Sequence, residues 1–467
     1  MDVRVKFLGG AQTVTGSKYL LEIDKYKLLI DCGLFQGLPE LKGKNWEDLP
    51  IKAEDIDAVV LTHAHLDHSG YLPRLFKEGY NGPVYCTKPS CELLELLLTD
   101  SAKLQEEEAA YAVKKGYSIH KSPQPLYDSR DVEKVLPCLR GYYYDTLIRL
   151  TKNIKIKFKN ASHILGAAIV EIYLTGESQK KKIVFSGDLG RNNDPILYAP
   201  AKIEEADILF IESTYGNKKN PVKNPEDNIA EIINTTITKG GCVLIPAFAI
   251  GRTQNILYYI KELLKTKKIP NLPIYMDSPM AISATKLYGQ NYDFHKISLD
   301  DVQDDDSFLQ FNDSLHIINS HSASIGLNDI KKRAIIISAS GMMNGGRVLH
   351  HLYNRLPRKN DTLLLVGFQA EGTRGRRISD GNEKIRIFGQ EVDVNCRIAQ
   401  INGLSAHADQ TELMIWLKNF KRSPKYTFII HGEEEASKTF SRLIEKELKW
   451  NTVVPQYLQS FSLFKNI

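Results

Sequence analysis

The chain has 467 residues, of which 42% are hydrophobic and 25% are charged, and its formal net charge is +5 at pH 7. The length favours two domains, and the composition is ordinary for a globular protein. The mild positive charge permits a polyanionic partner without requiring one. No stretch approaches the roughly eighteen uninterrupted apolar residues that a membrane span needs.

The N-terminus and the cysteines predict a cytoplasmic protein. The chain begins with the alternating segment Val3–Phe7, which is typical of a strand rather than of a secretory signal peptide. The cysteines are scattered, form no Cys-x-x-Cys pair and have mostly apolar neighbours, as expected for reduced structural thiols. They are Cys32, Cys86, Cys91, Cys138, Cys242 and Cys396.

Short strands separated by turns are predicted for the first two hundred residues, together with one long helix. The strands have alternating or continuous apolar patterns, and the helix is acidic and alanine-rich with helical periodicity. The predicted strands cover residues 3–8, 19–23, 27–31, 58–61, 154–158, 168–174 and 183–185, and the helix covers 89–115.

From about Tyr215 the pattern changes to apolar strands followed by amphipathic helices, which predicts a parallel, doubly wound sheet. Near Val392 the pattern returns to strand and ends with a last strand-helix unit. We therefore predict an α/β protein in which residues 213–394 are inserted into a host domain formed by 1–212 and 395–467. Between the strands, the acidic stretch 300–306 is predicted to be a solvated loop.

The segment Thr62–Gly70 contains three histidines and one aspartate within six positions, directly after the apolar run Ala58–Leu61. Burying so many chargeable side chains together is costly unless a divalent cation organises them. The four side chains project from a turn, and a helix is predicted to begin after it, within residues 67–71. One cation cannot easily bind all four, so we predict two adjacent metal ions. The alternative, histidines that only cap a helix, does not account for this density.

Further metal-competent residues each follow a predicted strand, where a loop would present them. Taken singly, an aspartate between a strand and a glycine is commonly a turn former. Beside the histidine cluster, however, they predict one hydrolytic metal site. They are Asp31, His163, Asp188 and Glu212.

In these motifs the chain resembles the β-CASP members of the metallo-β-lactamase superfamily, which include the endonuclease subunit of the cleavage and polyadenylation specificity factor and its bacterial and archaeal relatives. The resemblance spans nearly the whole chain and implies a metallo-β-lactamase αββα sandwich with an inserted β-CASP domain. The superfamily motifs correspond to Asp31, to His63, His65, Asp67 and His68, to His163, and to Asp188. The β-CASP motifs A, B and C correspond to Glu212, His407 and His431.

The resemblance also implies two Zn²⁺ ions per chain and a role for each motif residue. One ion would bind His63, His65 and His163, the other would bind Asp67, His68 and His431, and Asp188 would bridge them. A hydroxide shared by the two ions would attack phosphorus. His407, oriented by Glu212, would be the general acid, and Asp31 would orient a ligand or the metal-bound water. The remaining histidines match no motif and are expected to be structural or superficial: His120, His295, His316, His321, His350 and His351.

Glycine turns after predicted strands suggest phosphate contacts in the inserted domain. Gly251 and Arg252 follow a strand and open a helix, and the segment with Ser338, Ser340 and Gly341 repeats that arrangement. Arg374 belongs to a segment with two further arginines. Simple strand-to-helix geometry remains the alternative for each turn, and Arg376 or Arg377 could instead serve a subunit contact in a homodimer.

Histidine at motif C accompanies RNA processing in this family, so His431 favours RNA as the substrate. We predict a zinc-dependent endoribonuclease that acts on single-stranded or accessible RNA and leaves 5′-phosphate and 3′-hydroxyl ends, in RNA processing or decay. A 5′–3′ exoribonuclease remains open. A small-molecule metallo-hydrolase would leave the inserted domain without purpose, and an inactive RNA-binding subunit would be expected to have broken ligands. Relatives often carry extra terminal domains, so we expect this chain to have little sequence selectivity of its own.

Overall fold

The computed structural model describes residues 1–115, 123–220, 225–297, 311, 314–367, 369, 372–401 and 403–466, so that the predicted loop 300–306 and His120 lie outside the described residues. The chain forms two compact units. The first comprises Met1–Asp194, Tyr198–Lys219 and His407–Ile467, and the second comprises Pro195–Leu197 and Asn220–Ala406. Within the described ranges, no helix is long and apolar enough to cross a membrane.

The elements follow in chain order. Up to Glu212 the strands are β1 (Val3–Phe7), β2 (Tyr19–Ile23), β3 (Tyr26–Ile30), β4 (Ala58–Val60), β5 (Val84–Thr87), β6 (Leu139–Tyr142), β7 (Leu147–Arg149), β8 (Ile154–Asn160), β9 (Ala168–Thr175), β10 (Lys180–Phe185) and β11 (Ile208–Glu212), and the helices are α1 (Pro39–Gly43), α2 (Leu66–Ser69), α3 (Leu72–Lys77), α4 (Lys88–Lys115) and α5 (Ser129–Val135). The second unit contains the strands β12 (Val243–Pro246), β13 (Ile274–Met276), β14 (Leu315–Ile317), β15 (Ile335–Ser338), β16 (Thr362–Leu365), β17 (Lys384–Ile387), β18 (Gln390–Asp393) and β19 (Arg397–Gln400), and the helices α6 (Pro225–Thr238), α7 (Arg252–Lys265), α8 (Pro279–Gln290), α9 (His321–Gly326), α10 (Val348–Arg355) and α11 (Arg374–Ser379). The last elements are α12 (Gln410–Leu417), β20 (Tyr426–Ile430), α13 (Glu434–Leu448), β21 (Thr452–Val453) and β22 (Ser460–Phe464).

Two seven-stranded sheets form the core of the first unit, with the strand orders β22-β1-β2-β3-β4-β5-β6 and β21-β20-β11-β10-β9-β8-β7. Their apolar faces pack into one cluster. In it the ring of Phe210 stacks on Phe185 at 4.0 Å and on Phe428 at 4.8 Å, while Phe7 of the other sheet lies 6.0 Å away. Burial of these apolar faces is the main force that holds the sheets together, and the predicted sandwich is confirmed.

Parallel pairing brings the ends of distant strands to one edge of each sheet. In the first sheet β4 lies between β3 and β5 and runs parallel to both. In the second sheet β11 lies between β10 and β20 and is parallel to both. Neighbouring parallel strands have their carboxyl ends on the same side. The loops that follow β3 and β4 therefore emerge at one edge of the first sheet. The loops that follow β10, β11 and β20 likewise emerge at one edge of the second sheet.

The second unit contains a six-stranded sheet with the order β14-β13-β15-β12-β16-β19, in which every neighbouring pair is parallel. The predicted alternation of strands and helices around a parallel sheet is confirmed. Because β19 (Arg397–Gln400) pairs with β16, the unit extends past residue 394, where the prediction ended the inserted domain. The pairing partner of so short a strand is not visible in its own sequence.

Two helices show how closely the pattern predicted local structure. The helix predicted at 89–115 is α4, Lys88–Lys115. The helix predicted to begin within 67–71 is instead two short ones, of which α2 begins at Leu66 and α3 at Leu72. Gly70 and Tyr71 separate the two helices. Pro73 lies in the first turn of α3, where its missing N–H group is not needed for a helical hydrogen bond.

Candidate metal centre

Close backbone approach places the metal-competent loops against each other. A Cβ atom at Gly33 would lie 1.6 Å from the carbonyl oxygen of Asp67, so only glycine lets the loop after β3 pack on α2. A Cβ at Gly190 would lie 1.8 Å from the carbonyl oxygen of Ser162 in the β8–β9 connection. These two contacts bring the loops of Asp31 and Asp188 against those that carry the histidines.

The first group of donor atoms consists of three imidazole nitrogens and a carboxylate oxygen. The Nδ1 atom of His65 lies 3.1 Å from Nε2 of His63 and 3.1 Å from Nε2 of His163. The Oδ2 atom of Asp188 is 3.6 Å from the same nitrogens of His63 and His163. Ligand nitrogens around a tetrahedral zinc ion are separated by about 3.3 Å, so this group has the spacing of a zinc site.

The second group contains Asp67, His68 and His431. The Nε2 atoms of His68 and His431 are 3.0 Å apart, and Oδ2 of Asp67 lies 3.5 Å from Nε2 of His431. Asp188 also reaches this group, because its Oδ1 atom is 3.3 Å from Nε2 of His68. One carboxylate thus presents one oxygen to each group, which is the geometry of a bridging ligand.

Burial and charge in the cluster suit cation binding. Burial, together with the facing His68, holds the pKa of His63 well below its usual value, and burial also lowers the pKa of His65. Both imidazoles are therefore neutral near pH 7, which is the form that binds a metal. Burial disfavours the charged form of Asp188, but the facing histidines His431 and His68 outweigh this effect and hold its pKa well below the usual range.

The Oδ1 atom of Asp188 is buried and accepts no hydrogen bond from the described residues. A buried carboxylate oxygen without a hydrogen-bond donor is costly unless a cation compensates it. The donor set around it combines imidazole nitrogens with carboxylate oxygens, a combination that suits Zn²⁺. The residues present therefore fit two zinc ions.

Hydrogen bonds behind the donors hold their rings in place. Asp31 accepts a hydrogen bond from Nδ1 of His68 at 2.7 Å, and it also accepts the backbone N–H and the hydroxyl of Thr62. The hydroxyl of Thr214 lies 3.1 Å from Nδ1 of His431. Sequence reasoning missed both threonines. The available signal was position, since Thr62 opens the histidine cluster and Thr214 lies two residues after Glu212.

His407 and Glu212 form a pair at the edge of the donor groups. The Nδ1 atom of His407 lies 3.1 and 3.2 Å from the two carboxylate oxygens of Glu212, which is fully buried and also accepts the backbone N–H of Leu189. Burial lowers the pKa of His407, but the charge and hydrogen bond of Glu212 outweigh it and raise the pKa to about 9. His407 Nδ1 is 3.9 Å from Oδ2 of Asp188. Glu212 also lies within reach of Asp188 and His431 as a possible donor group, but its existing hydrogen bonds favour a role in holding His407.

The residues predicted to contact phosphate all lie in the second unit. Gly251 is the N-cap of α7 with φ 80°, and the Arg252 side chain that follows is 7% exposed. Pro246 of β12 pairs with Ser338 of β15, so the two glycine turns leave the same edge of the sheet. Hydrogen bonds to backbone oxygens hold the other candidates: Ser338 to Asp277, Ser340 to Gly345, and Arg374 to Met343, Asn344 and Arg386, while Gly341 packs on Phe248.

Three family models match the chain. The metallo-beta-lactamase superfamily matches residues 13–144, the Beta-Casp domain matches residues 253–378, and the Zn-dependent metallo-hydrolase RNA specificity domain matches residues 391–455. Among curated relatives, ribonuclease TTHA0252 of Thermus thermophilus is 34% identical over 95% of this chain and 96% of its own length. The chain belongs to the β-CASP family of metallo-β-lactamase-fold proteins.

Other β-CASP relatives come from archaea. An RNase J-like protein of Methanocaldococcus jannaschii is 33% identical over 97% of this chain and 98% of its own length. The transcription termination factor FttA of Methanosarcina mazei is 34% identical over 96% of this chain and 70% of its own length. A crystal structure of a protein of unknown function from Enterococcus faecalis V583 shares the fold, with a TM-score of 0.53 and 12% identity over 99% of this chain and 100% of that chain.

Membership in the β-CASP family confirms the resemblance on which the sequence prediction relied, and it places the chain among metal-dependent hydrolases that include ribonucleases. Histidines that match no family motif lie outside the donor groups, as three of the described ones show. His295 contacts the carbonyl oxygen of Tyr288, His316 stacks on Tyr275, and His351 pairs with Asp277. None of these three belongs to the donor groups.

Proposed function

We propose that this protein is a zinc-dependent endoribonuclease that hydrolyses phosphodiester bonds in single-stranded or accessible RNA, in cytoplasmic RNA processing or decay. The observation that carries the proposal is the Asp188 carboxylate, which presents one oxygen to each of two donor groups beside the His407–Glu212 pair. Hydrolysis of this kind leaves a 5′-phosphate and a 3′-hydroxyl. The names of the relatives and the matched RNA specificity domain support RNA over a small-molecule substrate.

The donor residues would form two sets, each of which binds one metal ion. His63, His65 and His163 would hold one Zn²⁺ ion, and Asp67, His68 and His431 would hold the other. When bound, the two ions supply a water molecule activated near neutral pH and positive charge for the developing phosphorane. Asp31 keeps Nδ1 of His68 engaged, so that its Nε2 atom stays directed at the second group.

His407 is positioned to protonate the leaving oxygen. Glu212 engages the Nδ1 atom of His407, and Nε2 is the atom that we propose donates a proton to substrate. A raised pKa keeps the imidazole charged at neutral pH, as a general acid requires. The Glu212 carboxylate also accepts the backbone N–H groups of Leu189 and Thr214, and these two hydrogen bonds hold it beside His407.

The proposal is tested by incubating the purified protein with RNA labelled at one end, with and without a metal chelator. We expect cleavage that the chelator stops and that added zinc restores, with about two zinc ions per chain under replete conditions. A circular RNA distinguishes the mode of cutting, because an endonuclease opens it and a 5′–3′ exonuclease does not. Chelator-insensitive cleavage, or one zinc ion per chain, would contradict the dinuclear site.

Phosphate contacts by the second unit would come from Arg252, and the other residues proposed to contribute there are Gly251, Ser338, Ser340, Gly341 and Arg374. We expect Arg252→Ala to weaken RNA binding by about tenfold and to lower the slope of log Kd against log salt by about one, because one phosphate contact is lost. Fluorescence anisotropy across a salt series measures both.

Two controls accompany this variant. Arg252→Lys keeps the charge and is expected to keep the salt slope. Because the side chain is buried, a thermal unfolding curve and a zinc count are recorded for each variant to establish that the fold and the metal content hold. An unchanged slope in a folded Arg252→Ala protein would remove this residue from phosphate binding.

A further inference from the structure

A cavity of about 400 Å³ lies within the second unit, beside the hairpin β17–β18 and the start of α11. Its lining includes Asn344, Arg374, Arg377, Ile385, Arg386 and Phe388. None of these residues belongs to the metal donors or to the His407–Glu212 pair. Arg374 was among the predicted phosphate contacts, and Arg377 belongs to the same arginine segment, for which a subunit contact was the alternative.

Among the described residues, the lining carries three guanidinium groups and no carboxylate. Arg374 donates to three backbone oxygens, and burial together with the charge of Arg377 lowers its pKa. Within the described residues, the Arg386 side chain makes one hydrogen bond, from Nε to the carbonyl oxygen of Gly389. The guanidinium of Arg377 makes no hydrogen bond or ion pair with the described residues. An anion in the cavity would relieve the repulsion among these three charges.

Nearby carboxylates are engaged elsewhere. Asp380 pairs with Arg376, which is on α11 but does not line the cavity. Glu391 lies opposite Arg386 in the hairpin, but the ion-pair contact it makes is with Lys384, which Asp393 also approaches. Among the described residues no carboxylate forms an ion pair with the three arginines of the lining, so their positive charge favours phosphate as the ligand.

Phe388 lies at the rim in a backbone conformation that is unfavourable for its side chain. Ile387 pairs with Gln390, so Phe388 and Gly389 form a two-residue hairpin turn, with φ 51° and 81°. Asparagine, aspartate or glycine are preferred at such positions, and a bulky aromatic residue is rare there. A residue held in an unfavourable conformation is a reason to look for a function.

The position of Phe388 offers an aromatic surface for a base. Its side chain is 53% exposed, and its ring centroid lies 4.7 Å from that of His350 and 6.2 Å from that of Tyr353. The ring therefore has two aromatic neighbours and is still more than half exposed. Proteins that bind single strands combine aromatic rings, on which bases stack, with cationic groups that follow the backbone.

We propose that this cavity is a second RNA contact, in which Arg377 and Arg386 bind a backbone phosphate and Phe388 stacks on an adjacent base. The inference rests on the proposed ribonuclease function and extends it, because it assigns the second unit a contact with a stretch of single-stranded RNA that is separate from the cleaved bond. Arg374 holds the hairpin in place through its backbone contacts.

The test compares Arg377→Ala, Arg386→Ala and Phe388→Ala with Arg376→Ala as the matched control, since Arg376 is adjacent in sequence and outside the cavity. KM and kcat are measured on a long single-stranded RNA and on a short oligonucleotide. We expect each cavity variant to raise KM for the long RNA by about tenfold with kcat and zinc content unchanged, and each arginine variant to lower the salt slope by about one. KM for the short RNA, and both constants in Arg376→Ala, should remain at wild-type values.

Other outcomes overturn the proposal. Unchanged KM for the long RNA in all three cavity variants would exclude the contact and leave the nuclease function intact. Altered sedimentation with unchanged KM would assign the arginines to a subunit interface. Full competition by inorganic phosphate, equally strong in Phe388→Ala, would indicate a site for the free anion. If the wild-type protein cleaves no RNA, the nuclease proposal is wrong, but the RNA contact can still be tested. Fluorescence anisotropy with labelled RNA in the presence of chelator then measures binding by the wild type and the cavity variants.

Discussion

Asp188→Asn is expected to abolish chelator-sensitive RNA cleavage and to lower the zinc content below two per chain. The Asp188 carboxylate reaches both sets of donors, at 3.6 Å from His63 and 3.3 Å from His68. An amide has the same shape but only one oxygen and no charge, so it cannot serve both ions. We expect the rate to fall by at least about a thousandfold, because several kcal/mol of transition-state stabilisation depend on the two-ion site.

Asp31→Asn is the matched control for the loss of a carboxylate. Asp31 is buried in the same region, yet it contacts His68 and Thr62 from behind rather than either set of donor atoms. We expect this variant to keep two zinc ions under replete conditions and to lose about 10- to 100-fold in metal affinity or rate. Zinc analysis and single-turnover cleavage measure both effects. Two tightly bound zinc ions and full activity in Asp188→Asn would contradict the bridging assignment.

His407→Ala is expected to lower kcat for RNA by about 10²- to 10⁴-fold, the usual contribution of a general acid, while both zinc ions remain bound. A substrate with a p-nitrophenyl leaving group separates this role from a structural one, because that leaving group departs without a proton. The variant should cleave such a diester at nearly the wild-type rate, whereas Asp188→Asn should fail on both substrates. The surface substitution His321→Ala provides the control and should leave both rates unchanged.

The pH dependence of cleavage tests the pairing with Glu212. His407 acts as an acid only when protonated, so its contribution is present below its pKa and is lost as the pH rises through about 9. Replacing Glu212 by glutamine removes the charge that raises this pKa, so the alkaline fall in kcat should move to lower pH. The same alkaline limb in Glu212→Gln and wild type would show that this carboxylate does not control the titration.

Much of the metal chemistry was predictable from local sequence. The segment His63–His68 is dense enough in donors to indicate a metal by itself, and the strands before it and before Asp188 were recognisable from their apolar residues. The repeated strand-helix pattern after Tyr215 predicted the parallel sheet of the second unit. These predictions were possible because hydrophobic periodicity and donor spacing are properties of short segments.

Contacts that depend on pairing between distant segments were not predictable from the residues alone. The 3.0 Å approach of His68 to His431 follows from the parallel neighbours β11 and β20 and from the packing of two sheets, and only the family motifs pointed to His431 beforehand. Thr62 and Thr214 have no signal of their own, because a hydroxyl becomes a positioning group only once an imidazole lies beside it. The arginine cavity likewise depends on a hairpin turn, which brings Arg386 and Phe388 beside Arg377.

The family, the alternation of strands and helices, and the residues able to bind metal were all predictable before the fold was known, because each depends on local composition and spacing. The folded structure adds which oxygen of Asp188 meets which histidine, that Asp31 holds His68 from behind, and that β19 belongs to the parallel sheet of the second unit. Strand register and sheet packing are set by the burial of many side chains at once. The distance between two donor atoms on different strands therefore depends on how all of these side chains pack.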